Sequence, residues 1–172
     1  MDARIRTREI PREPGTYALI FHVTRTCTCV VGKRGTVTLS PGYYVYVGSA
    51  HGPGGLAARL RRHLREGNRL HWHIDYITQH VAPVAVLYAV GREPQECMWV
   101  QQVLDRPGTL VPMFGLGSGD CRSGCPAHFL RVTEETLQEM QAWGTMLRQD
   151  GTRDRAAAPL IQPNLQAQGE RS

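Results

Sequence analysis

Two segments rich in aromatic and β-branched residues constrain the fold most, because such residues favour extended backbone. In residues 17–23 every second residue is apolar or aromatic, which places those side chains on one face of a half-buried strand. Residues 43–47 have the strongest strand propensity of the chain. Between them, residues 29–31 and 36–39 form a further extended stretch that a turn at residues 32–35 interrupts. The short connections predict an antiparallel meander of three strands.

Helical segments are expected after this meander. A Gly- and Pro-rich segment ends the last strand, and apolar residues then recur at helical spacing. The predicted helices are residues 56–65, a segment from His71 to before Pro83, residues 96–104, and a last helix capped by Thr133; further strands are predicted at residues 84–90 and 129–132. The sequence therefore predicts one α+β domain over residues 1–149, followed by a disordered tail over residues 150–172, whose composition is polar with Ala, Gln, Gly and Pro.

The charge balance and the cysteines narrow the class of protein. The 172-residue chain carries a net charge of +5, and most of its basic residues are arginines, which favours a polyanionic partner. A soluble, cytoplasmic protein without membrane contact is expected, because there is no signal-peptide pattern and no apolar run long enough to span a bilayer. Five cysteines, an odd number in such a chain, predict reduced thiols or a metal site over a disulfide framework.

The predicted helix at residues 56–65 separates two groups of basic side chains. Successive residues turn by about 100°, so three leucines form an apolar stripe with Arg59 and His63 along its border. Arg59 is the stronger anion-binding candidate, because a guanidinium at a packed border is costly unless it meets an anion. The other arginines form either a solvated face or a nucleic-acid-binding face; they are Arg61, Arg62, Arg65 and Arg69.

An ordered set of motifs resembles a known nuclease superfamily. The set comprises Gly15-Thr16-Tyr17, Tyr46-Val47-Gly48, Arg59, His63 and Glu96. In this order the motifs resemble the GIY-YIG nuclease superfamily. Several further segments resemble its DUF123 branch, also called Uri-type endonucleases; they are residues 42–50, Arg62-His63, residues 71–76, Gly119-Asp120-Cys121 and residues 125–128. The resemblance covers residues 14–132, and an extended hairpin would absorb the long interval between the two tyrosine motifs.

The resemblance implies an α+β fold with a central three-stranded antiparallel sheet flanked by helices. It also implies hydrolysis of phosphodiester bonds with one divalent metal. Glu96 would hold Mg²⁺ or Mn²⁺, with Glu93 as the competing carboxylate, and Arg59 would neutralise charge on the scissile phosphate. Ser49 would contact the nucleic acid.

The same resemblance places Tyr17 and Tyr46 close together. One phenol would orient or deprotonate the attacking water, and the other would hold its partner's hydroxyl. A free phenol with a pKa near 10 is a poor base at neutral pH, so this role requires the metal, Arg59 or His63 to lower the pKa. Which tyrosine acts as the base stays open at this stage.

A separate Cys/His cluster is a candidate zinc site. Cys121, Cys125 and His128 are spaced so that they can converge on Zn²⁺ if a fourth ligand comes from elsewhere. The candidates for that ligand are His71, His73, Cys27 and Cys29. The alternative is a set of buried structural thiols with a hydrogen-bonded histidine. Residues 71–76 are predicted to be helical, so that His71 pairs with Asp75.

The sequence thus predicts a metal-dependent endonuclease that acts on DNA, with structured or damaged DNA among its candidate substrates and RNA left open. Two alternatives follow from the same residues. The first is a catalytically inactive nucleic-acid-binding module of the same fold, and the second is a zinc-stabilised interaction domain. The sequence gives no indication of the oligomeric state.

Overall fold

The structure is a computed structural model that describes residues 4–67 and 69–155. The strands are β1 (Gly15–Val23), β2 (Cys27–Val30), β3 (Thr36–Leu39), β4 (Gly42–Ala50), β5 (Ala85–Val90), β6 (Phe129–Val132), β7 (Thr145–Arg148) and β8 (Arg153–Arg155). The α-helices are α1 (Gly55–Leu64), α2 (His73–Thr78), α3 (Glu96–Leu104) and α4 (Glu134–Met140). Thr133 caps α4 as predicted, because its side chain accepts a hydrogen bond from the backbone N–H of Thr136. α2 is shorter than predicted, beginning at His73 and ending at Thr78.

The main sheet is antiparallel and has the strand order β6-β4-β1-β5-β7-β8. The predicted α+β class is therefore confirmed, whereas the predicted three-stranded central sheet is not, because the sheet has further strands. β1 pairs with β4 on one side and with β5 on the other. The physical reason is that residues 15–21 of β1 are buried on both faces, which suits a central strand with neighbours at both edges.

The segment between β1 and β4 does not join this sheet. Within residues 4–67 and 69–155, β2 and β3 pair only with each other, as a separate hairpin. The predicted meander is therefore wrong in its pairing, although the turn between its two extended stretches lies where the sequence places it. Cys29 of this hairpin is buried in the same apolar cluster as Tyr17.

The alternation of side chains along β1 divides the core into two layers. Tyr17, Leu19 and Phe21 face a layer that contains α1, α2 and the hairpin. Ala18 and Ile20 face the opposite layer, which contains α3 and α4. The sheet is thus covered on both faces.

The start of α1 is held by backbone contacts. The N–H groups of Leu56 and Ala57 donate to the carbonyl oxygens of Glu13 and Pro11, at 3.0 and 2.8 Å. Gly55 has a φ of +55°, and a Cβ there would overlap the backbone of residues 12 and 13. The glycine-rich segment before the helix therefore permits a close approach that fixes the position of α1.

Strand β8 lies within the segment that the sequence predicted to be a disordered tail. Arg153 pairs with Leu147 on the outer edge of β7, so the ordered chain continues beyond the predicted boundary at residue 150. The rest of that predicted tail, residues 156–172, lies outside the described residues. Among the helices of residues 4–67 and 69–155, none is long and apolar enough to cross a membrane.

Candidate active site

Tyr17 and Tyr46 lie side by side on one face of the sheet. Tyr17 is opposite Gly48 in the register of β1 and β4, and the centroids of the two tyrosine rings are 6.5 Å apart. A Cβ on Gly48 would lie 2.6 Å from Tyr17 Oη, which is closer than real Cβ contacts allow. Only glycine at this position leaves room for the Tyr17 phenol. The pairing of the two strands therefore explains why the second motif ends in glycine.

His63 of α1 lies behind Tyr17. The hydroxyl of Tyr17 and Nε2 of His63 are hydrogen-bonded at 2.7 Å, and both side chains are buried. Nδ1 of His63 is also buried and has no hydrogen-bond partner within the described residues. α1 thus places an imidazole against the phenol, whereas the helical spacing predicts only that His63 borders the apolar stripe of this helix.

Burial keeps these three rings uncharged at neutral pH. Burial lowers the pKa of His63 to about 3, and it raises the pKa of Tyr17 well above its ordinary value. The pKa of Tyr46 is also raised by burial, and then by the negative charge of Glu96, while Arg59 acts in the opposite direction. The two tyrosines and His63 are therefore neutral, and the hydrogen bond between Tyr17 and His63 joins two uncharged groups.

Arg59 and Arg62 both lie against the ring of Trp72, and Arg62 also forms an ion pair with Asp75. Their guanidinium carbons are 4.4 and 4.0 Å from the centroid of the indole ring. Arg62 forms a two-pronged ion pair with buried Asp75, at 3.0 and 3.1 Å. Asp75 also accepts the backbone N–H groups of Trp72 and His71 at the start of α2. Arg62 is therefore engaged in the scaffold, and the predicted contact between His71 and Asp75 is made by a backbone N–H group.

A cavity of about 440 Å³ opens beside the two tyrosines. The residues predicted from the sequence that line it are Tyr17, Tyr46, Ser49, Arg59, Glu96, Cys121 and His128, together with His71 and His73, which were suggested only as zinc ligands. Ser49 Oγ is buried and has no hydrogen-bond partner in the part of the chain that the structure describes. The cavity thus gathers two phenols, a guanidinium and a carboxylate from β1, β4, α1 and α3.

Three of the other predicted arginines are placed elsewhere. Arg61 and Arg65 are exposed and line a different cavity, of about 600 Å³, next to Ile5 and Pro83. Arg69 is exposed, and its backbone carbonyl accepts a hydrogen bond from Arg62. The structure therefore does not bring these side chains into the cavity with Tyr17.

Glu96 is the first residue of α3, and a contact with β1 positions it. The backbone N–H of Gln95 donates to Thr16 Oγ1 at 3.0 Å, which ties the start of the helix to the strand that carries Tyr17. The Glu96 side chain is 32% exposed and lines the cavity. The competing carboxylate, Glu93, is exposed and lies outside the residues that line it.

Three further cavity residues were not singled out by the sequence as site residues: Arg34, Trp72 and Asp120. Arg34, at the turn of the hairpin, donates from Nε to His73 Nε2 at 3.2 Å. The N–H of Gly117 lies 3.2 Å from His73 Nδ1, and a neutral ring accepts only one of these two bonds at a time. The unusual length of the segment between the tyrosine motifs was the signal that could have identified Arg34.

The Cys/His cluster is complete, and its fourth member is Cys97. The ligand atoms of Cys97, Cys121, Cys125 and His128 all lie within 4.8 Å of one another, so the cluster could hold a metal ion. The fourth ligands suggested by the sequence, His71, His73, Cys27 and Cys29, are therefore wrong. Cys97 reaches the cluster because it follows Glu96 in the first turn of α3. This turn of the helix packs against the loop that carries Cys121.

The thiols and the histidine of this cluster have distinct environments. Although burial opposes ionisation of Cys121, hydrogen bonds from the backbone of Cys125 and Ser123 lower its pKa to about 6. The side chain of His128 is 4% exposed, with Nδ1 located 4.0 Å from Glu96 Oε2. The cluster therefore borders directly on the carboxylate of the cavity.

A family model described as "Domain of unknown function DUF123" matches residues 16–149, well over half of the chain. The matched range includes every residue that lines the cavity of Tyr17 and Glu96. Neither the curated proteins nor the solved structures contain a match to the chain.

Proposed function

The chain belongs to the DUF123 family, and we propose that it is a metal-dependent endonuclease of the GIY-YIG type that hydrolyses phosphodiester bonds in DNA. The observation that carries this proposal is the cavity in which Tyr17, Tyr46, Arg59 and Glu96 converge from four separate elements. A guanidinium and a carboxylate-held metal are the groups that stabilise charge on a phosphate under attack.

Glu96 suits a divalent metal by its chemistry and exposure. Mg²⁺ and Mn²⁺ prefer oxygen ligands, and Mg²⁺ keeps several waters when one or two carboxylates bind it. Glu96 is partly exposed at an open cavity that Asp120 also lines, which leaves room for water and phosphate oxygens. Bound there, the ion would polarise the phosphate and lower the pKa of a coordinated water.

Tyr17 and His63 act in this proposal by holding geometry. Transfer of the Tyr17 proton to His63 would run from a phenol with a raised pKa to an imidazole with a pKa of about 3, which is strongly unfavourable. His63 is therefore a positioning residue that holds the Tyr17 hydroxyl through Nε2. Tyr46, which is the more exposed phenol, orients the attacking water by hydrogen bonding.

Arg59 binds the scissile phosphate in this proposal. It lines the cavity and rests on Trp72, so its guanidinium is held in place by the indole ring. Ser49 Oγ offers a further hydrogen bond to a phosphate oxygen.

The test is a nicking assay on supercoiled, branched and single-stranded DNA with Mg²⁺ or Mn²⁺. Arg59→Ala is expected to lower the rate about 100-fold or more, the usual effect of removing one charge-stabilising group. Arg106→Ala is the matched control, because Arg106 forms a surface ion pair with Glu139 outside the cavity. Equal rates for the wild-type protein and Arg59→Ala would contradict the assignment of the site.

The second candidate function is a nucleic-acid-binding module that does not cut. The exposed arginines of α1, Arg61 and Arg65, favour it, because they lie outside the cavity and present charge to solvent. This candidate predicts binding that weakens with salt and is indifferent both to chelators and to the loss of the Glu96 carboxylate.

A further inference from the structure

The donor atoms of the Cys/His cluster are the set that structural zinc prefers. Thiolate sulfur and imidazole nitrogen are soft or borderline ligands, and three cysteines with one histidine form a common closed zinc site. The mutual distances within 4.8 Å are small enough for all four atoms to surround one ion. Four protein ligands leave no open position, which distinguishes a structural site from a catalytic one.

His128 supplies an independent observation that points to a ligand. The residue is buried, and its Nε2 has no hydrogen-bond partner among the described residues. Burying such a nitrogen without a partner costs free energy. A metal ion bound at Nε2 would satisfy it and would leave Nδ1–H directed toward Glu96, whose Oε2 is 4.0 Å from Nδ1. A zinc-bound histidine commonly donates its other ring N–H to a carboxylate, and at 4.0 Å a small movement of the Glu96 side chain would bring the two groups to hydrogen-bonding distance.

The loop that carries Cys121, and that Cys125 follows directly, is held by backbone turns and by the buried side chain of Leu116. It runs from Gly115 to Gly124 with three glycines at positive φ, and the structure assigns it no helix or strand. This loop packs over the site, because a Cβ on Gly117 would overlap the Tyr46 ring. A metal that joins this loop to α3 would add a link between two segments that line the cavity.

We propose that Cys97, Cys121, Cys125 and His128 bind one structural Zn²⁺, and that His128 connects this ion to the Glu96 carboxylate. The zinc ion holds the glycine-rich loop against the start of α3. His128 acts as a positioning residue, because it restrains the side chain that faces the cavity. The zinc site stands independently of the proposed nuclease activity, whereas the role of His128 toward Glu96 rests on it.

The first test is the metal content of the full chain, purified under reducing conditions without chelators. Elemental analysis should find one zinc and no iron per chain. Replacement of zinc by Co²⁺ should give the intense visible bands of tetrahedral cobalt with a sulfur-to-metal charge-transfer band. Both measurements use the wild-type protein, so they stand even where a variant fails to fold.

Two serine variants locate the site. Cys121→Ser should lose most of the zinc and lower the midpoint of thermal unfolding. Cys27→Ser is the matched control, because Cys27 is a partly buried thiol of the hairpin outside the cluster. It should keep one zinc per chain. Wild-type protein without zinc, an iron-containing cluster, or a disulfide between Cys97 and Cys121 in the purified chain would overturn the proposal.

The link to Glu96 is tested by His128→Cys. This variant keeps four soft ligands but removes the imidazole N–H that faces the carboxylate. It should retain one zinc and its unfolding midpoint, while Mn²⁺ binding measured by electron paramagnetic resonance weakens about tenfold. Glu96→Gln gives the reference for Mn²⁺ binding without the carboxylate. Unchanged Mn²⁺ affinity in zinc-loaded His128→Cys would overturn the role of His128 and leave the zinc site standing. Inactive wild-type protein that still binds one zinc would contradict the nuclease alone.

Discussion

At the scale of single residues, the site depends on space as much as on functional groups. Gly48 leaves the volume that Tyr17 fills, and Thr16 on the opposite face accepts the N–H that starts α3. The sequence predicted the identities of Tyr17, Tyr46, Arg59 and Glu96, because each belongs to a short motif or to a regular helix. It could not assign Thr16 a contact, since its partner is 79 residues away.

Gly48→Ala is expected to displace the Tyr17 phenol. The added Cβ would lie 2.6 Å from Tyr17 Oη, and the ring is fully buried, so the strain should cost about 1–3 kcal/mol. Nicking should fall at least tenfold, and urea unfolding should measure the loss of stability. Gly91→Ala is the control, because nothing lies within 4 Å of a Cβ at that position. Equal stability and activity for both variants would contradict the close contact.

His63 should not control the pH dependence of the reaction. Its pKa of about 3 keeps the ring neutral throughout the range in which a free histidine titrates. We expect His63→Gln to lower kcat about tenfold and to leave the shape of the pH–rate profile between pH 5 and 8 unchanged. An acidic limb near pH 6.5 in the wild-type protein that disappears in the variant would show that His63 is the general base.

At the scale of elements, the site joins segments whose pairing is not local. The hairpin β2–β3 was predicted as extended chain, but the sequence could not show that it leaves the main sheet and carries Arg34 to the cavity. The side chain of Arg34 packs over Gly115, where a Cβ would overlap its guanidinium. Likewise, Cys97 became a member of the metal cluster only through the packing of α3 against the loop.

Arg34→Ala is expected to weaken the substrate site without unfolding the protein. Arg34 is exposed and bonds His73 at the cavity, so its loss removes a positive charge from the lining. We expect kcat/KM on DNA to fall about tenfold, which corresponds to about 1.4 kcal/mol. Lys33→Ala, a change of the neighbouring exposed cation outside the lining, should have little effect. An equal or larger fall in kcat/KM for Lys33→Ala would show that the hairpin contributes through its overall positive charge and not through the position of Arg34 in the cavity.

The ion pair between α1 and α2 should make stability depend on pH. Burial opposes ionisation of Asp75, but hydrogen bonds from Arg62, Trp72 and His71 dominate and lower its pKa. A lowered folded-state pKa adds stability above the unfolded-state value of about 3.9, and this stability is lost as the pH falls through the folded-state pKa. Asp75→Asn should therefore cost about 2 kcal/mol at pH 7 and less below pH 3, measured by urea unfolding.

The control for this pair is Asp105→Asn, a change of an exposed carboxyl at the end of α3. It should alter the free energy of unfolding by less than about 0.5 kcal/mol at either pH. A constant cost of Asp75→Asn from pH 7 to pH 3 would contradict an ionised, stabilising Asp75.

At the scale of the whole molecule, the start of α3 places the two candidate metal sites next to each other. The Glu96 carboxylate faces the cavity, and Cys97 beside it faces the Cys/His cluster. The α+β class and most helices followed from periodicity. The six-strand order did not, because strands β5, β7 and β8 join through pairings that no local pattern encodes.

The most direct test of the central claim is Mn²⁺-dependent nicking of supercoiled DNA by the wild-type protein and two carboxamide variants. Glu96→Gln removes the carboxylate that lines the cavity, whereas Glu93→Gln removes an exposed carboxylate three residues earlier. The account predicts nicking by the wild-type protein and by Glu93→Gln, and a loss of at least 100-fold for Glu96→Gln. Nicking that survives in Glu96→Gln, or its absence in the wild-type protein on every DNA substrate, would contradict the account.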